Sequence, residues 1–503
     1  MSMWRNFRFG NVHFGTGIMK FYDRKAEISI LNEINKTAYK KAGTFRTVAE
    51  LRTYLAERGI DLPLAESGEN EAMRRPIDLF GRTLPNRWAI LPMEGWDCTS
   101  KGAPSEYTLR RWLNFARSGA SMICGTEAGA VMHAAKSNPY QLLISRENLP
   151  ELKAAVQAMR RAHAEKFGSS SNLLIGIQLT HSGRFAHPNK SDVLESAVAY
   201  NHPLLDRKFG TPRVVPDAEV KEIVGAFKEA ARVAREAGFD FVDVKHAHGY
   251  LGHEFLTAFD RPGPYGGSFE NRTRFSREIA ESIKTACPDL PISMRFSIFD
   301  IQAFEKGPDG FGVAMQGGMK DGLYKYAFGG AGDGLTMDPD LKEPAAFLKM
   351  MKDYGIDLIC NSIGSPYYNV HIQRPAYYPV CDGYEPPADP LFNVARHIQA
   401  SKRIKELCPW LKTVLSGITC LQEYAACAAE AAVRDRAADF AGIGRMALPY
   451  ADYCADHLAG KPFDKRRICR TFGDCTNAPR HGEISGCYPL DEFYRKLKKC
   501  AAK

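Results

Sequence analysis

The sequence predicts an α/β protein built on a (β/α)8, or TIM, barrel, and three observations support this. Eight short apolar runs follow one another along the chain: Trp88–Leu91, Ser121–Cys124, Leu173–Leu179, Asp240–Val244, Ile292–Phe296, Leu358–Cys360, Thr413–Leu415 and Phe440–Ile443. Amphipathic stretches typical of helices alternate with them, including Leu109–Ser118, Leu149–Lys166, Asp217–Ala237 and Asn271–Ala286. Continuous apolar runs are typical of parallel strands buried on both faces, and eight strand–helix units are the number in a closed barrel. A doubly wound sheet is the alternative, but the sequence lacks the Gly-rich turn that it would need after the first strand.

Composition and charge restrict the class of protein further. The 503 residues are 45% hydrophobic and 25% charged, which is typical of a soluble globular enzyme. No apolar run approaches the length of about 18 residues that a membrane span needs. The 67 Lys and Arg exceed the 58 Asp and Glu, but basic and aromatic residues are not interleaved as in a nucleic-acid-binding groove. The 13 cysteines are an odd number and no signal peptide follows Met1, so we predict a cytoplasmic protein without a disulfide framework.

Changes in hydrophobic patterning and composition divide the chain into three parts. Residues 1–75 are predicted to form an N-terminal helical arm, with helices over Lys25–Tyr39 and Val48–Arg58. Residues 76–465 carry the barrel, and residues 466–503 form a cysteine-containing C-terminal extension. Within the barrel, the segment Ile301–Asp340 after the fifth strand is long enough to be a lid or binding loop.

The carboxyl ends of barrel strands are where TIM-barrel enzymes carry their active sites. The seventh and eighth strands end in Gly417 and in Gly444-Arg445, a pattern that suits a phosphate because glycine amides allow close approach and arginine adds charge. The fourth strand ends in Lys245-His246-Ala247-His248-Gly249-Tyr250, where Lys245, His248 and Tyr250 can donate hydrogen bonds or protons. We expect His246 to face the barrel wall.

Two longer motifs resemble those of the old yellow enzyme family of flavin oxidoreductases. The first is Ile175-Gly176-Ile177-Gln178-Leu179-Thr180-His181-Ser182-Gly183-Arg184, at the third strand. The second runs from His248-Gly249-Tyr250-Leu251 through Phe255-Leu256 to Tyr265-Gly266-Gly267-Ser268-Phe269-Glu270-Asn271-Arg272. The resemblance extends over roughly residues 76–465. The cluster of C-terminal cysteines resembles the one in the branch of the family that contains 2,4-dienoyl-CoA reductase and trimethylamine dehydrogenase.

The resemblance implies an NAD(P)H:flavin oxidoreductase with FMN as cofactor and NADH or NADPH as reductant. Hydride would pass from the flavin to an activated alkene, with Tyr250 donating the proton and with Lys245 and His248 binding the carbonyl oxygen. The implied flavin contacts are Pro92, Met93 and Ala128 on the ring, Gln178 and Arg295 at the pyrimidine, and Gly417, Gly444 and Arg445 at the phosphate. The expected partner is a small unsaturated carbonyl compound or acid, and a homo-oligomer is compatible with the sequence.

The chain departs from the family pattern at three places. Lys245 stands where many relatives carry His, and Glu94 stands where they carry a small residue. Glu94 could tune the flavin potential, bind a cationic substrate or form a salt bridge with Lys245. Cys469, Cys475 and Cys487 follow the spacing Cys-x5-Cys-x11-Cys, whereas the iron–sulfur relatives have Cys-x2-Cys-x3-Cys-x11-Cys. Because a [4Fe–4S] cluster of this type needs four thiolates, we favour a segment that packs on the barrel without an intact cluster.

Three other functions remain open at this stage. A Schiff-base lyase would use Lys245 beside a phosphate site. A flavin-dependent amine or ether demethylase or dehydrogenase would use Glu94 to hold a cation. A non-catalytic flavin or electron-transfer protein is the third, and the presence of both Tyr250 and His248 argues against it.

Overall fold

The structure is a computed structural model that describes residues 11–14, 17–20, 39–381 and 383–501. Eight parallel strands form its centre: β1 Trp88–Ile90, β2 Met122–Ile123, β3 Leu174–Thr180, β4 Phe241–His246, β5 Ile292–Ser297, β6 Leu358–Ser362, β7 Lys412–Leu415 and β8 Phe440–Ile443. Each strand pairs in parallel with the next, and β8 pairs with β1, so the sheet closes. The predicted barrel is confirmed, and closure excludes the doubly wound sheet.

Eight helices surround the barrel, one after each strand. They are α1 Glu106–Ala116, α2 Leu149–Phe167, α3 Asp217–Ala237, α4 Arg274–Ala286, α5 Lys342–Lys352, α6 Pro390–Leu407, α7 Ala425–Arg434 and α8 Tyr453–Leu458. The prediction for Asp217–Ala237 is confirmed at both ends, where Gly238 with φ 93° ends the helix. The predicted helix Asn271–Ala286 is divided, because Thr273 ends the short helix Phe269–Arg272 and precedes α4.

The barrel interior is filled by side chains and closed at its amino-terminal end by a hairpin that the sequence analysis missed. The strands Ile77–Leu79 and Arg82–Leu84 pair antiparallel, and their Leu79 and Leu84 are buried in the same apolar cluster as Phe241 and other barrel residues. A barrel of eight strands is just wide enough for side chains to fill, so the hairpin and the interior together leave the carboxyl end as the open end.

Shorter strands and helices make up the rest of the described elements. The remaining strands are Asn11–Phe14 with Gly17–Lys20, Ala128–Ala130, Ala197–Val198 with Arg213–Val214, and Phe304–Lys306 with Gly312–Ala314. The remaining helices are Val48–Glu57, Leu205–Phe209, Leu251–Phe255, Val370–Gln373, Asp474–Arg480 and Glu492–Ala501, with 3-10 turns at Ala42–Thr44, His133–Ala135, Gly183–Phe185, Ile418–Tyr424 and Arg445–Ala447. Within the described residues, no helix combines the length and the apolar character needed to cross a membrane.

The described part of the N-terminal arm packs on the outside of the barrel. The helix Val48–Glu57 confirms one of the two predicted helices, and the hydroxyl of Tyr54 donates to Asp389, the residue before α6, at 2.5 Å. The backbone amides of Ala72 and Met73 donate to Glu430 of α7 at 2.6 and 3.0 Å. The other predicted helix, Lys25–Tyr39, lies outside the described residues except for its last residue.

The segment after β5 is not a featureless loop. It contains the hairpin Phe304–Lys306 and Gly312–Ala314, which the sequence analysis did not predict. The amide of Phe304 donates to the carbonyl of Tyr368 at 2.6 Å, so this segment is joined to the loop that follows β6. The two segments therefore border the open end of the barrel together.

Tight packing inside the barrel leads to a prediction on stability. A Cβ at Gly176 of β3 would lie 2.4 Å from the ring of Phe241, which is fully buried. We expect Gly176→Ala to lower the free energy of unfolding by about 1–3 kcal/mol, because the ring has no room to move. Gly225→Ala in α3, where nothing lies within 4 Å, is the matched control and should raise it by up to about 1 kcal/mol. Thermal unfolding midpoints that move in the same direction for both variants would contradict the packing argument.

Candidate active site

The carboxyl ends of the strands surround one cavity with about 1210 Å³ of empty space, counting its open mouth. All the residues that the sequence analysis assigned to flavin and substrate line it: Pro92, Met93, Ala128, Gln178, Lys245, His248, Tyr250, Arg295, Gly417, Gly444 and Arg445. The residues assigned to the cofactor and those assigned to the substrate therefore face one common space.

A buried carboxylate links three neighbouring strands below the cavity. Asp243 of β4 accepts hydrogen bonds from Gln178 Nε2 of β3 at 2.7 Å and from Ser293 Oγ of β5 at 2.9 Å. Burial raises the pKa of Asp243 to about 6, and the two hydrogen bonds favour the charged form and limit the rise. The Gln178 amide is thereby held with its nitrogen turned toward Asp243.

Arg295 of β5 extends from the strand into the cavity. Its Nη1 donates to Cys360 Sγ at 2.7 Å and its Nη2 to Ser416 Oγ at 3.3 Å, whereas its Nε is buried without a hydrogen-bond partner. A guanidinium has five N–H donors, and burying it is favourable only where an anion or several acceptors compensate it. Arg295 therefore suits an anionic ligand.

Lys245 is the second cation at this end of the barrel. Its side chain is only 6% exposed, and its Nζ lies 3.6 Å from the centre of the Tyr250 ring. Burial lowers the pKa of Lys245 to about 8, with nearby Glu94 acting in the opposite direction and Arg295 in the same direction. Lys245 is therefore still mostly protonated at neutral pH.

The salt bridge considered between Glu94 and Lys245 is wrong, since among the described residues no oxygen of Glu94 lies within 4.0 Å of Lys245 Nζ. Glu94 instead accepts a hydrogen bond from Trp96 Nε1 at 2.7 Å and another from the hydroxyl of Ser137. These two neutral donors compete for the carboxylate that Lys245 would otherwise pair with.

His248 occupies a strained backbone position two residues after the end of β4. Its φ of 68° lies in the left-handed region, which is costly for a residue other than glycine and is commonly found at functional sites. Its carbonyl accepts a hydrogen bond from Ser365 Oγ at 2.8 Å, and its Nε2 lies 3.1 Å from Ser362 Oγ and 3.0 Å from Gln373 Nε2. Burial and the charges of Lys245 and Arg295 lower the pKa of His248 well below its usual value, so the ring is neutral.

His246 points away from the cavity, as expected from the sequence. It is fully buried in the barrel wall, and its Nε2 lies 2.8 Å from Ser276 Oγ of α4.

Tyr250 is almost fully buried beside the two cations. Its hydroxyl lies 2.8 Å from the hydroxyl of Tyr367. Burial, the nearby charge of Glu94 and the neighbouring Tyr367 raise the pKa of Tyr250 well above its usual value. The phenol is therefore protonated at every physiological pH and can act as a proton donor.

The ends of β7 and β8 form the opposite side of the cavity. Gly417 has a φ of 88°, and a Cβ there would lie 2.5 Å from the His397 ring, so only glycine fits. Arg445 donates through Nη2 to the carbonyl of Pro375 at 3.2 Å, whereas its Nη1 is buried without a hydrogen-bond partner. A buried and unused N–H of a guanidinium is a donor that a phosphate oxygen would satisfy.

Several residues of the cavity were missed by the sequence analysis: Trp96, Tyr367, Gln373, Arg374, Thr476 and Arg480. Arg374 follows a short helix after β6, and its Nη1 donates to Thr476 Oγ1 of the C-terminal extension at 2.7 Å. None of these residues directly follows a barrel strand, so a prediction based on strand ends does not include them.

The three cysteines of the extension are brought together around a separate small cavity. Cys469, Cys475 and Cys487 line it together with Arg445 and Asp474. Burial raises the pKa of the Cys469 and Cys487 thiols. The extension thus lies directly behind Arg445.

Among the described residues, the one group of three possible metal ligands within 4.8 Å of one another is elsewhere, at Asp97, Cys98 and Glu127. Arg111 lies between those two carboxylates and binds both, at 2.5 Å to Asp97 and 2.8 Å to Glu127.

Comparisons with known proteins assign the chain to a family. Residues 73–323 match the model of the NADH:flavin oxidoreductase / NADH oxidase family. The NADPH dehydrogenase of Bacillus subtilis is 31% identical over 293 residues, which cover 58% of this chain and 72% of that protein. The chain belongs to the NADH:flavin oxidoreductase / NADH oxidase family. It is an NAD(P)H:flavin oxidoreductase with FMN as cofactor, and the resemblance to old yellow enzymes is confirmed.

Solved structures share the fold of this oxidoreductase. The old yellow enzyme homologue from Zymomonas mobilis superposes with a TM-score of 0.55 at 20% identity, covering 80% of this chain and 96% of that one. A complex of 2-naphthoyl-CoA reductase with 2-naphthoyl-CoA gives a TM-score of 0.63 at 18% identity and covers 85% of this chain. The chain spans only 58% of the length of that reductase.

The residues of this oxidoreductase fit the flavin that the family binds. Arg295 has donors beyond its two protein partners, and the buried Nη1 of Arg445 lies at the strand ends that carry Gly417 and Gly444. The cavity between these two cations suits a cofactor with an anionic group at one end and a ring that accepts negative charge at the other.

The buried ammonium of Lys245 leads to a prediction on pH dependence. The pKa of Lys245 falls from 10.5 to about 8 on folding, so the penalty for burying its charge is complete below pH 8 and disappears as the pH rises toward 10.5. Lys245→Met should therefore stabilise the flavin-free protein by roughly 3 kcal/mol below pH 8, and this gain should shrink above it. Thermal unfolding across this pH range measures the effect, with Lys153→Met on the exposed face of α2 as the control. A gain independent of pH would contradict the assignment of the effect to the charge.

Proposed function

We propose that this oxidoreductase is an FMN-dependent ene-reductase that reduces activated alkenes at the expense of NAD(P)H. One observation carries the proposal: Tyr250, His248 and Lys245 line the same cavity as the residues that suit a flavin. A proton donor and two groups for a carbonyl oxygen therefore face the space beside the cofactor. This set is what the reduction of an α,β-unsaturated carbonyl compound requires.

The flavin-binding residues divide by chemistry. FMN, when bound, supplies a hydride derived from NAD(P)H. Gln178 would bind the pyrimidine edge of the ring, and Arg295 would compensate negative charge there. Gly417, Gly444 and Arg445 would bind the phosphate. Pro92, Met93 and Ala128 would line the ring and exclude water from it.

Lys245 and His248 bind the carbonyl oxygen of the substrate. As hydride reaches the β-carbon, negative charge grows on this oxygen, and the ammonium of Lys245 stabilises it more strongly than it stabilises the neutral substrate. His248 is neutral and held by two partners, so it contributes a fixed dipole rather than a second charge. The cationic member of the pair also suits an unsaturated acid.

Tyr250 donates the proton to the α-carbon. Its raised pKa keeps the phenol protonated until charge develops on the substrate. Lys245 lies over its ring and favours the tyrosinate that forms when the proton leaves.

The alternatives receive less support. Amine dehydrogenation with Glu94 holding the cation is disfavoured, because the carboxylate is already bonded to Trp96 and Ser137 and Lys245 lies in the same cavity. A Schiff-base lyase does not account for membership of a flavin oxidoreductase family.

Replacing the proton donor tests the proposal directly. Tyr250→Phe should slow reoxidation of the flavin by an activated alkene about 100-fold or more, since general acids commonly contribute factors of this size. Reduction of the flavin by NADPH should change little. Stopped-flow absorbance with cyclohexenone, and with a panel of unsaturated esters and acids, measures both half-reactions, with Tyr326→Phe as the control. Equal losses in both half-reactions, or no reoxidation of the unchanged enzyme by any compound of the panel, would count against an ene-reductase.

The role of Arg445 can be tested by binding alone. Arg445→Gln should weaken FMN binding about 10- to 100-fold, because it removes a charge-assisted bond to the phosphate. Riboflavin, which lacks the phosphate, should bind the variant and the unchanged protein alike. Fluorescence titration of the flavin-free protein measures both affinities, and Arg434→Gln on the exposed part of α7 is the control. If riboflavin binding weakens as much as FMN binding, Arg445 does not recognise the phosphate.

A further inference from the structure

The buried position of Tyr250 creates a requirement that the proposed reaction, on which this inference rests, does not itself meet. The side chain is 1% exposed, so the tyrosinate formed when it gives up its proton has little contact with bulk water. Each turnover consumes that proton. A second group must therefore return a proton to Tyr250 before the next substrate can be reduced.

Tyr367 is the group in hydrogen-bond contact with Tyr250. The two hydroxyls lie 2.8 Å apart, and their rings are stacked with centres 5.9 Å apart. Tyr367 lines the cavity and is half-buried, whereas Tyr250 is almost fully buried. Tyr367 is therefore the more solvent-accessible member of the pair, and the bond between the two hydroxyls is itself only part-buried.

Tyr367 is held in this position from both sides. The ring of Phe185 stacks on it with centres 4.0 Å apart and an angle of 13° between the planes. Its backbone amide donates to Ser365 Oγ at 3.2 Å, and the same hydroxyl donates to the carbonyl of His248 at 2.8 Å. The loop after β6 is thus attached to the strained turn that carries the catalytic residues of β4.

A second hydroxyl near Tyr250 is already committed. Ser137 also faces Tyr250, but it donates its proton to Glu94, which accepts a further bond from Trp96. Since Ser137 has a single O–H, it cannot donate to Tyr250 while this bond persists. Tyr367 is the better placed of the two neighbours.

We propose that Tyr367 is a proton relay that returns protons from solvent to Tyr250 after each alkene reduction. The Tyr250 O–H bond breaks as the α C–H bond of the product forms, and the Tyr367 O–H bond then breaks as the Tyr250 O–H bond forms again. Water or a buffer acid at the mouth reprotonates Tyr367. The relay needs no further oxidant or reductant. Tyr367 acts through Tyr250 and is a positioning residue rather than a catalytic one.

The test separates the first turnover from later ones. Prereduced enzyme mixed anaerobically with cyclohexenone uses the proton already on Tyr250, so Tyr367→Phe should leave this rate within about two-fold of the unchanged enzyme. Steady-state turnover with NADPH should fall about 10-fold, the order of a lost proton-transfer step. In the variant, this turnover should acquire a larger solvent deuterium isotope effect, and it should rise with the concentration of small buffer acids that can enter the cavity.

Matched variants make the outcomes decisive. Tyr326→Phe loses a comparable bond, from its hydroxyl to Asp260 at 2.6 Å, outside the cavity and should change neither rate. Phe185→Leu keeps the Tyr367 hydroxyl but loses the stacked ring, so it should show the same separation of rates to a smaller extent. This variant decides the question if Tyr367→Phe fails to retain FMN.

Three results would overturn the relay. The first is a steady-state turnover in Tyr367→Phe that is the same as in the unchanged enzyme. The second is a first-turnover rate in Tyr367→Phe that falls as much as its steady-state turnover. The third is a steady-state turnover that falls without a change in first-turnover rate in Ser137→Ala but not in Tyr367→Phe. The proposed function is judged separately, from reoxidation of the unchanged enzyme by the alkene, so a failed relay and a failed ene-reductase give different results.

Discussion

The cost of burying positive charge at the carboxyl end of the barrel governs the rest of the site. Lys245 and Arg295 are each 6% exposed, and Arg445 is 9% exposed. The nearby carboxylates are already used, Asp243 by Gln178 and Ser293 and Glu94 by Trp96 and Ser137. A cation taken out of water without an anion lowers stability, so the folded chain favours an anionic ligand in this cavity. The same charges that cost folding free energy are available to stabilise negative charge during the reaction.

This positive environment also sets the protonation of the remaining groups. Burial together with the charges of Lys245 and Arg295 lowers the pKa of His248 and keeps it neutral, and burial brings the pKa of Lys245 to about 8, still above neutrality. One member of the proposed carbonyl-binding pair is thus charged and the other is not. An enzyme with two charged members would pay a second desolvation cost for little additional stabilisation of a single oxygen.

The sequence predicted the barrel and the strand-end residues because both depend on local patterns. A strand buried on both faces is a continuous apolar run wherever it occurs, and the polar residue at its carboxyl end must lie at the active end of a barrel. Tyr367, Thr476 and Arg480 could not be predicted in this way. They reach the cavity only because the long loops and the C-terminal extension fold over the barrel, and this folding depends on tertiary structure. The hairpin Ile77–Leu84 was not predicted because each of its strands has only three residues and only one face of the hairpin is buried. The salt bridge from Glu94 to Lys245, one of three roles considered for Glu94, is not formed because Trp96 and Ser137 donate to the carboxylate instead.

The C-terminal extension has a structural role that does not depend on an iron–sulfur cluster. Thr476 accepts a hydrogen bond from Arg374, and Cys475 lines both the main cavity and the small cavity behind Arg445. The extension thereby covers the end of the site where Arg445 lies and contributes to the burial of that guanidinium. Because a charge–charge interaction strengthens as the surroundings become less polar, this cover increases the affinity that Arg445 can offer an anion. Cys469, Cys475 and Cys487 therefore lie in a segment that packs beside Arg445 and borders the main cavity.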